Sequence, residues 1–173
     1  ELREQRPDLI VANIDEGDET VYDNEVTTIE VAVTQSDLAD SVAEEVKVYL
    51  RVEDPEGGAV DWFQIDQAKT VGLNGETTFF EYDWTPTKLG SYAVSAYVDK
   101  NDDILEWNEN NNEFEDRVIT VYEKLPDLQI TSVDISPVNE EGYAVVGVSS
   151  ELTATIANLG VRNMTDSEGT KLE

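Results

Sequence analysis

Residues 45–53, EVKVYLRVE, have an apolar side chain at every second position. The residues of this apolar face are Val46, Val48, Leu50 and Val52. A period of two predicts a β-strand with one face in a core, whereas a helix needs a period near 3.6. The chain has no sustained stripe of the helical kind, so this stretch sets the class of fold that we expect.

The same β-type pattern occurs on both sides of this stretch. Six further segments have it: residues 8–14, 29–34, 62–71, 77–84, 91–99 and 117–122. Turn-forming sequences separate several of them: DPEGG (54–58), LNGE (73–76) and TPTKLG (85–90). One or two helical turns are expected in residues 36–45. Seven short alternating strands predict an all-β fold, an immunoglobulin-like antiparallel β-sandwich.

The beginning of this pattern occurs a second time. PDLIVANID (7–15) is echoed by PDLQITSVD (126–134), and TIEVAVTQSDL (28–38) is echoed by ELTATIANLG (151–160). The second copy has only its first two strands. We therefore predict three parts: a complete sandwich over residues 7–123, the first two strands of a partial second sandwich over 124–165, and a tail at 166–173 whose GTKLE ending is typical of vector sequence.

Two strands alone cannot bury an apolar face, so the partial second copy needs a cover. The apolar residues to be covered are Leu128, Ile130, Val133, Leu152, Ala154 and Ile156. One hypothesis is that another copy of the chain covers them by strand addition, which gives a homo-oligomer or a filament. The first domain, or other domains of a larger surface protein, are the alternatives.

The charge balance excludes several classes of function. With 11 basic and 39 acidic residues the net charge is −28, so nucleic acid and anionic membranes are poor partners. The absence of His and Cys removes the usual zinc ligands and the His-based catalytic triads. No apolar run approaches the ~20 residues of a membrane span, so direct membrane insertion is not expected. Screening by salt or by bound divalent cations is expected.

Two sequence patterns resemble a known family. VDKNDDILEWNENNN (98–112) follows the pattern V-D-x-x-N-x-I-x-E-x-x-E-x-N-N, with Asp102 in place of the first Asn. Upstream, a second pattern is matched by Tyr82, Trp84, Pro86, Gly90 and Tyr92. Together with the opening PDL, these residues resemble the CARDB domain, the cell-adhesion-related domain of bacterial and archaeal surface proteins. The first copy departs from the family at AVTQSDL (32–38), whereas ATIANLG (154–160) in the second copy is closer.

The resemblance implies a seven-stranded immunoglobulin-like sandwich and a location outside the cell or at its surface. It also implies a non-enzymatic module that spaces, adheres or assembles, with no required cofactor. Carboxylate pairs suited to glycoside hydrolysis are inevitable by chance in so acidic a chain, so we do not expect an enzyme.

Residues 98–112 are also a candidate calcium site. Asp99, Asn101 and Asp103 have the spacing of the first three ligands of an EF-hand loop, but Ile104 stands where that loop needs Gly. A different calcium site, formed by Asp99, Asn101, Asp103 and Glu106, is one hypothesis.

The alternative hypothesis is a structural turn. In it, Ile104 enters the core, and Glu106, Glu109 and the Asn111–Asn112 pair bond backbone donors. The two hypotheses are compatible if a cation rigidifies the turn.

Three further features concern the surface. Trp62, Trp84 and Trp107 are candidates for a sugar platform, which makes a carbohydrate-binding accessory module of a secreted hydrolase the alternative function. Of these, Trp84 is expected in the core and Trp107 at the surface. Asn163 begins an N-glycosylation sequon, and the acidic loop at residues 14–23 is expected to be a solvated edge.

Overall fold

The computed structural model describes residues 4–18, 20–59 and 61–160, together with the backbone but not the side chain of Asp116. These residues form ten strands and no helix: β1 (Leu9–Glu16), β2 (Val21–Tyr22), β3 (Thr27–Gln35), β4 (Ala43–Glu53), β5 (Phe63–Val71), β6 (Thr78–Trp84), β7 (Gly90–Val98), β8 (Glu113–Tyr122), β9 (Leu128–Ser136) and β10 (Glu151–Asn158). The chain divides into unit 1, Glu1–Glu123, and unit 2, Lys124–Glu173. The candidate sequon at Asn163 and the predicted tail at 166–173 lie outside the described residues.

Unit 1 contains two β-sheets. One has three antiparallel strands in the order β1-β3-β6, and the other has five in the order β2-β8-β7-β4-β5. The predicted all-β, immunoglobulin-like sandwich is confirmed, and each of the seven predicted segments contains a strand. Strand β2 was not predicted, and its pairing with β8 is parallel rather than antiparallel.

The core of unit 1 lies between the two sheets and consists mostly of the residues that the alternation selects. In β4, Val46, Val48 and Leu50 are fully buried. The rings of Trp84 and Tyr92 meet edge to face at 4.9 Å between centroids. The Tyr92 hydroxyl accepts a hydrogen bond from the Lys88 amide (3.0 Å) and donates one to the Lys88 carbonyl (3.2 Å), as in the tyrosine corner of immunoglobulin-type sandwiches.

The helical turns expected in residues 36–45 are absent from this fully described segment, so that prediction was wrong. The segment instead bonds back to the chain that precedes β1. The Ser36 amide donates to the Asp8 carbonyl (2.9 Å), and the Asp40 amide donates to the Arg6 carbonyl (3.0 Å). In a helix over these residues the Asp40 amide would bond the Ser36 carbonyl, but here it bonds Arg6, and β4 begins at Ala43.

Unit 2 is one antiparallel pair, β9 with β10. The large apolar side chains of these two strands are exposed, from 40% for Ile135 to 68% for Leu152. None of the described residues forms a helix that is long and apolar enough to cross a membrane.

Substitutions at two neighbouring residues of β6 show which face of the strand contributes more to the stability of unit 1. Phe80 is fully buried, whereas Phe79 is 46% exposed. Phe80→Ala should lower the free energy of unfolding by about 3–5 kcal/mol, and Phe79→Ala by less than about 1 kcal/mol. Urea denaturation monitored by circular dichroism measures both values. Equal losses would contradict the assignment of faces.

Candidate functional site

The acidic segment between β7 and β8, residues 99–112, closes one end of the sandwich and is called the closing loop here. Two bonds anchor its base: the Val98 amide donates to the Asn112 carbonyl (3.0 Å), and the Asp99 amide donates to the Lys47 carbonyl (2.9 Å). Asp99 and Asp102 have positive φ angles of 48° and 53°. Asp and Asn tolerate this left-handed conformation better than most residues, so the local composition suits a tight turn.

Asp99 organises the first half of the closing loop. Its side chain is buried, and its two oxygens accept hydrogen bonds from the amides of Asp103 (3.1 Å) and Ile104 (2.8 Å). The Asp102 amide donates to the Asp99 carbonyl at 2.9 Å. Ile104 packs against the hydrophobic core, as the turn hypothesis predicts. Asp99 therefore acts as an internal cap for the turn.

Glu106 joins the closing loop to the other sheet. Its side chain is only 3% exposed. One carboxylate oxygen accepts from the Leu9 amide of β1, and the other accepts from the Asn112 side-chain amide at 2.8 Å. The Glu106 amide in turn donates to Glu109 Oε1 (2.9 Å). The first strand of the three-stranded sheet is thus tied to the loop that precedes β8.

A second buried carboxylate, Asp8, extends this network. It is fully buried and accepts hydrogen bonds from the Ser36 hydroxyl and from Asn111 Nδ2 (3.2 Å). The Asp8 amide donates to Gln35 Oε1 at 3.2 Å. The sequence analysis did not identify Asp8 or Gln35 as site residues. The available signal was the PDL that opens both copies, which indicated the internal repeat and the family resemblance but no role for Asp8.

Burial sets the protonation behaviour of the network. Burial raises the pKa of Glu106 to about 7, although the hydrogen bonds from Leu9 and Asn112 oppose this rise. The charge of Glu109 adds to the rise. Burial likewise raises the pKa of Asp99, while the amides of Ile104 and Asp103 act in the opposite direction.

The structure does not bring the four predicted calcium ligands together as one set. The carboxylates of Asp99 and Glu106 accept hydrogen bonds from backbone amides, as described. Asn101 Nδ2 donates to the Tyr49 hydroxyl at 2.9 Å, and Asp103 forms an exposed ion pair with Lys47 at 2.8 Å. Across the described ranges, no three carboxylate, His or Cys side chains are placed to hold a metal ion. In the structure these four side chains bond protein groups, and the calcium site stays a prediction.

The aromatic candidates for sugar binding are also separated. Trp84 is buried, as predicted. Trp62 meets Tyr97 edge to face at 88°, with the Lys100 ammonium 5.2 Å from both ring centroids. Trp107, expected at the surface, is half-buried, and the Arg6 guanidinium lies 5.5 Å from its ring. These side chains do not form a coplanar platform.

Another acidic group lines a cavity of about 390 Å³ on the three-stranded sheet. Asp15, Glu30 and Glu81 lie side by side across β1, β3 and β6. Only the first of these was part of the predicted acidic edge. Within that predicted edge, Glu16 is paired with Arg117 at 3.0 Å, and Glu19 lies outside the described residues.

The raised pKa of Glu106 predicts an unusual pH dependence of stability. Between pH 4.5 and about 7 the folded chain binds a proton at Glu106 that the unfolded chain releases, so stability from this group falls as the pH rises. Glu106→Gln removes this titration and keeps an acceptor for the Leu9 amide.

The unfolding free energy of the unmodified chain, relative to that of the Gln variant, should fall by on the order of 1–3 kcal/mol over this window. Urea denaturation of both proteins at several pH values measures the difference. Parallel pH profiles would show that Glu106 titrates normally.

Comparison with known proteins gives the family and the fold. The model of the CARDB family matches residues 6–116. Among solved structures, the chain is similar to the CARDB domain of the PF1109 protein from Pyrococcus furiosus, described as in complex with di-metal ions. That match has 27% identity and a TM-score of 0.51, and it covers 70% of this chain and 94% of that one.

A second solved structure supports the fold alone. It is the 272–376 domain of a putative cell surface protein from Methanosarcina acetivorans, with 22% identity and a TM-score of 0.51. The match covers 69% of this chain and 95% of that domain. No curated protein matches the chain. The family match spans most of unit 1, including the PDL opening, the whole closing loop and strands of both sheets. The chain therefore belongs to the CARDB family.

Proposed function

We propose that this chain is a non-enzymatic structural or adhesion module that works outside the cell or at its surface. The proposal rests on the way in which the closing loop uses its buried carboxylates. Its buried carboxylates, Asp99 and Glu106, bond backbone amides and hold the sandwich closed. Groups used in this way give the domain a rigid end, and they are not presented to a substrate. Membership of a family associated with cell-adhesion-related surface proteins supports the same role.

A carbohydrate-binding accessory role has less support from the site. A sugar platform needs exposed rings that lie in one plane, whereas Trp62 and Tyr97 are nearly perpendicular. The Trp107 ring is half-buried beside Arg6.

Self-association is part of the proposed function. All six residues predicted to form an interface are exposed on the hairpin of β9 and β10. Exposed contiguous apolar patches on soluble domains often mark sites of protein contact. A module that is repeated or paired at a surface would use such a face to join its neighbours.

Cations serve this acidic protein mainly as counterions. A net charge of −28 produces self-repulsion, which dissolved cations screen. The closing loop does not require a specific ion, because Asp99 and Glu106 already have protein donors.

This account predicts how the melting temperature responds to cations. At equal ionic strength, calcium and magnesium chloride should raise it equally, and Asp103→Asn should not change that equality. A specific calcium site occupied at 100 times its dissociation constant would add about 2.7 kcal/mol of stability. Differential scanning calorimetry distinguishes the two cases. Extra stabilisation by calcium that Asp103→Asn abolishes would support the calcium hypothesis instead.

The location is tested on cells that produce the protein. Antibodies raised against unit 1 should label intact cells as strongly as permeabilised cells. An antibody against a cytoplasmic protein is the control and should label only permeabilised cells. Labelling by the unit 1 antibody that requires permeabilisation would contradict a surface location.

A further inference from the structure

An apolar groove opens on unit 1 where edge strands of its two sheets come together. β5 is an edge strand of the five-stranded sheet, and β6 is an edge strand of the three-stranded sheet. The groove has a volume of about 280 Å³ and is lined by Val52, Phe63, Tyr82 and Trp84. Phe63 and Tyr82 pack against the core with their ring centroids 5.1 Å apart, yet both are only partly buried. The core is therefore incompletely covered at this place.

Charged side chains of β5 cap part of the open edge of β6. The Lys69 ammonium donates to the Phe79 carbonyl at 2.6 Å, and Asp66 Oδ2 accepts a hydrogen bond from the Glu81 amide at 3.3 Å. Lys69 and Asp66 also form an ion pair at 2.6 Å. Charged side chains that occupy a sheet edge in this way oppose the addition of another strand. The edge of β6 is thus protected from Phe79 to Glu81.

The same edge is open at Asp83, beside the groove. Asp83 is opposed by Thr28 of β3. The Thr28 carbonyl accepts a hydrogen bond from the Gly17 amide at 3.0 Å, so the backbone groups of Thr28 face β1 rather than β6. In an antiparallel pair, two opposed residues that do not bond each other both turn their backbone groups outward. The amide and the carbonyl of Asp83 therefore point away from β3, where a further strand would bond them.

The surroundings of the groove are acidic. Asp61 and Asp83 are next in sequence to residues that line the groove, and both are exposed. Lys88, the first basic residue after β6, is already paired with Asp54 and Glu56, each at 2.7 Å. The whole chain has a net charge of −28. Charge complementarity therefore favours a basic partner over a second copy of this acidic chain.

We propose that this groove binds an extended segment of a partner protein in which basic and apolar residues alternate. The segment adds to β6 as a strand, exchanges backbone hydrogen bonds with Asp83 and inserts an apolar side chain beside Phe63 and Trp84. This inference rests on the adhesion role in the proposed function and states the class of partner that the domain would hold.

Strand geometry sets the order of residues in the segment. The residue opposite Asp83 has its side chain on the same face of the sheet as the Asp83 carboxylate, which accepts from the Thr28 hydroxyl at 3.0 Å. A basic side chain at that position lies against the carboxylate. The next residue of the segment points to the other face, towards the groove, and is apolar. Because the edge is capped at Glu81, the contact is short and the binding is weak.

Isothermal titration calorimetry of the full chain with a synthetic heptapeptide of alternating lysine and valine tests the proposal. The dissociation constant should be on the order of 10–100 µM at about 0.15 M salt. N-methylation of the lysine amides removes the donors that face β6 and should weaken binding at least about tenfold. The isomer that is N-methylated at its valine amides has the same charge and should bind within about threefold of the parent peptide.

Two variants of the protein test the same hydrogen bond from the other side. Asp83→Pro removes the outward amide and should weaken binding at least about tenfold. Asp83→Ala keeps the amide and removes only the exposed carboxylate, so it should weaken binding by less than about fivefold. The melting temperatures of the two variants should agree. If Asp83→Pro does not fold, the two N-methylated peptides test the bond in the unmodified chain.

Several results would overturn the proposal. No binding of the lysine peptide, or equal binding of a peptide with glutamate in place of lysine, would remove its basis in charge. Equal binding of the two N-methylated isomers would show attraction by charge without strand addition. Analytical ultracentrifugation tests the other occupant, because a dimer that Asp83→Pro dissociates would assign the groove to a second copy. Antibody labelling of intact cells tests the surface role separately, so a failure of that role is distinguishable from a failure of the groove.

Discussion

The Glu106 carboxylate is the interaction on which the closed end of this sandwich depends. The two sheets contain strands that are far apart in sequence, and their ends need more than apolar packing to stay in register. Glu106 accepts a hydrogen bond from the Leu9 amide in the three-stranded sheet. It accepts another from the side chain of Asn112, which immediately precedes β8 of the five-stranded sheet. Burying this carboxylate costs free energy, which its two donors partly offset. The removal of either donor would further favour the neutral, protonated form of this buried group.

The closing loop is organised by hydrogen bonds within the protein. Asp99 and Asp102 adopt left-handed backbone conformations, Asp99 supplies internal acceptors, and Ile104 anchors the loop in the core. Exposed carboxylates such as Asp103 project towards solvent and towards Lys47. The net negative charge is distributed over the surface, where salt screens it, and the few buried carboxylates hold the fold together.

The alternation of apolar residues was sufficient to predict the sheets and most of the core. It correctly placed Val46, Val48 and Leu50 inward, because a period of two directly reports the two faces of a strand. It did not reveal β2, since two residues are too few to show a period. The error at residues 36–45 has a different cause. The conformation of that segment is set by long-range hydrogen bonds to the carbonyls of Asp8 and Arg6. The turn hypothesis gave Glu106 a backbone donor, but the sequence could not identify Leu9 as that donor, because Leu9 lies 97 residues away.

Amide hydrogen exchange at Leu9 is the most direct test of this account. The Leu9 amide donates to a side chain of the closing loop, so its protection depends on Glu106. The account predicts that this amide exchanges only through opening of the whole of unit 1, as slowly as amides in the centre of β3. Exchange at the rate of exposed loop amides, in the unmodified protein near neutral pH, would show that Glu106 does not hold the two sheets together.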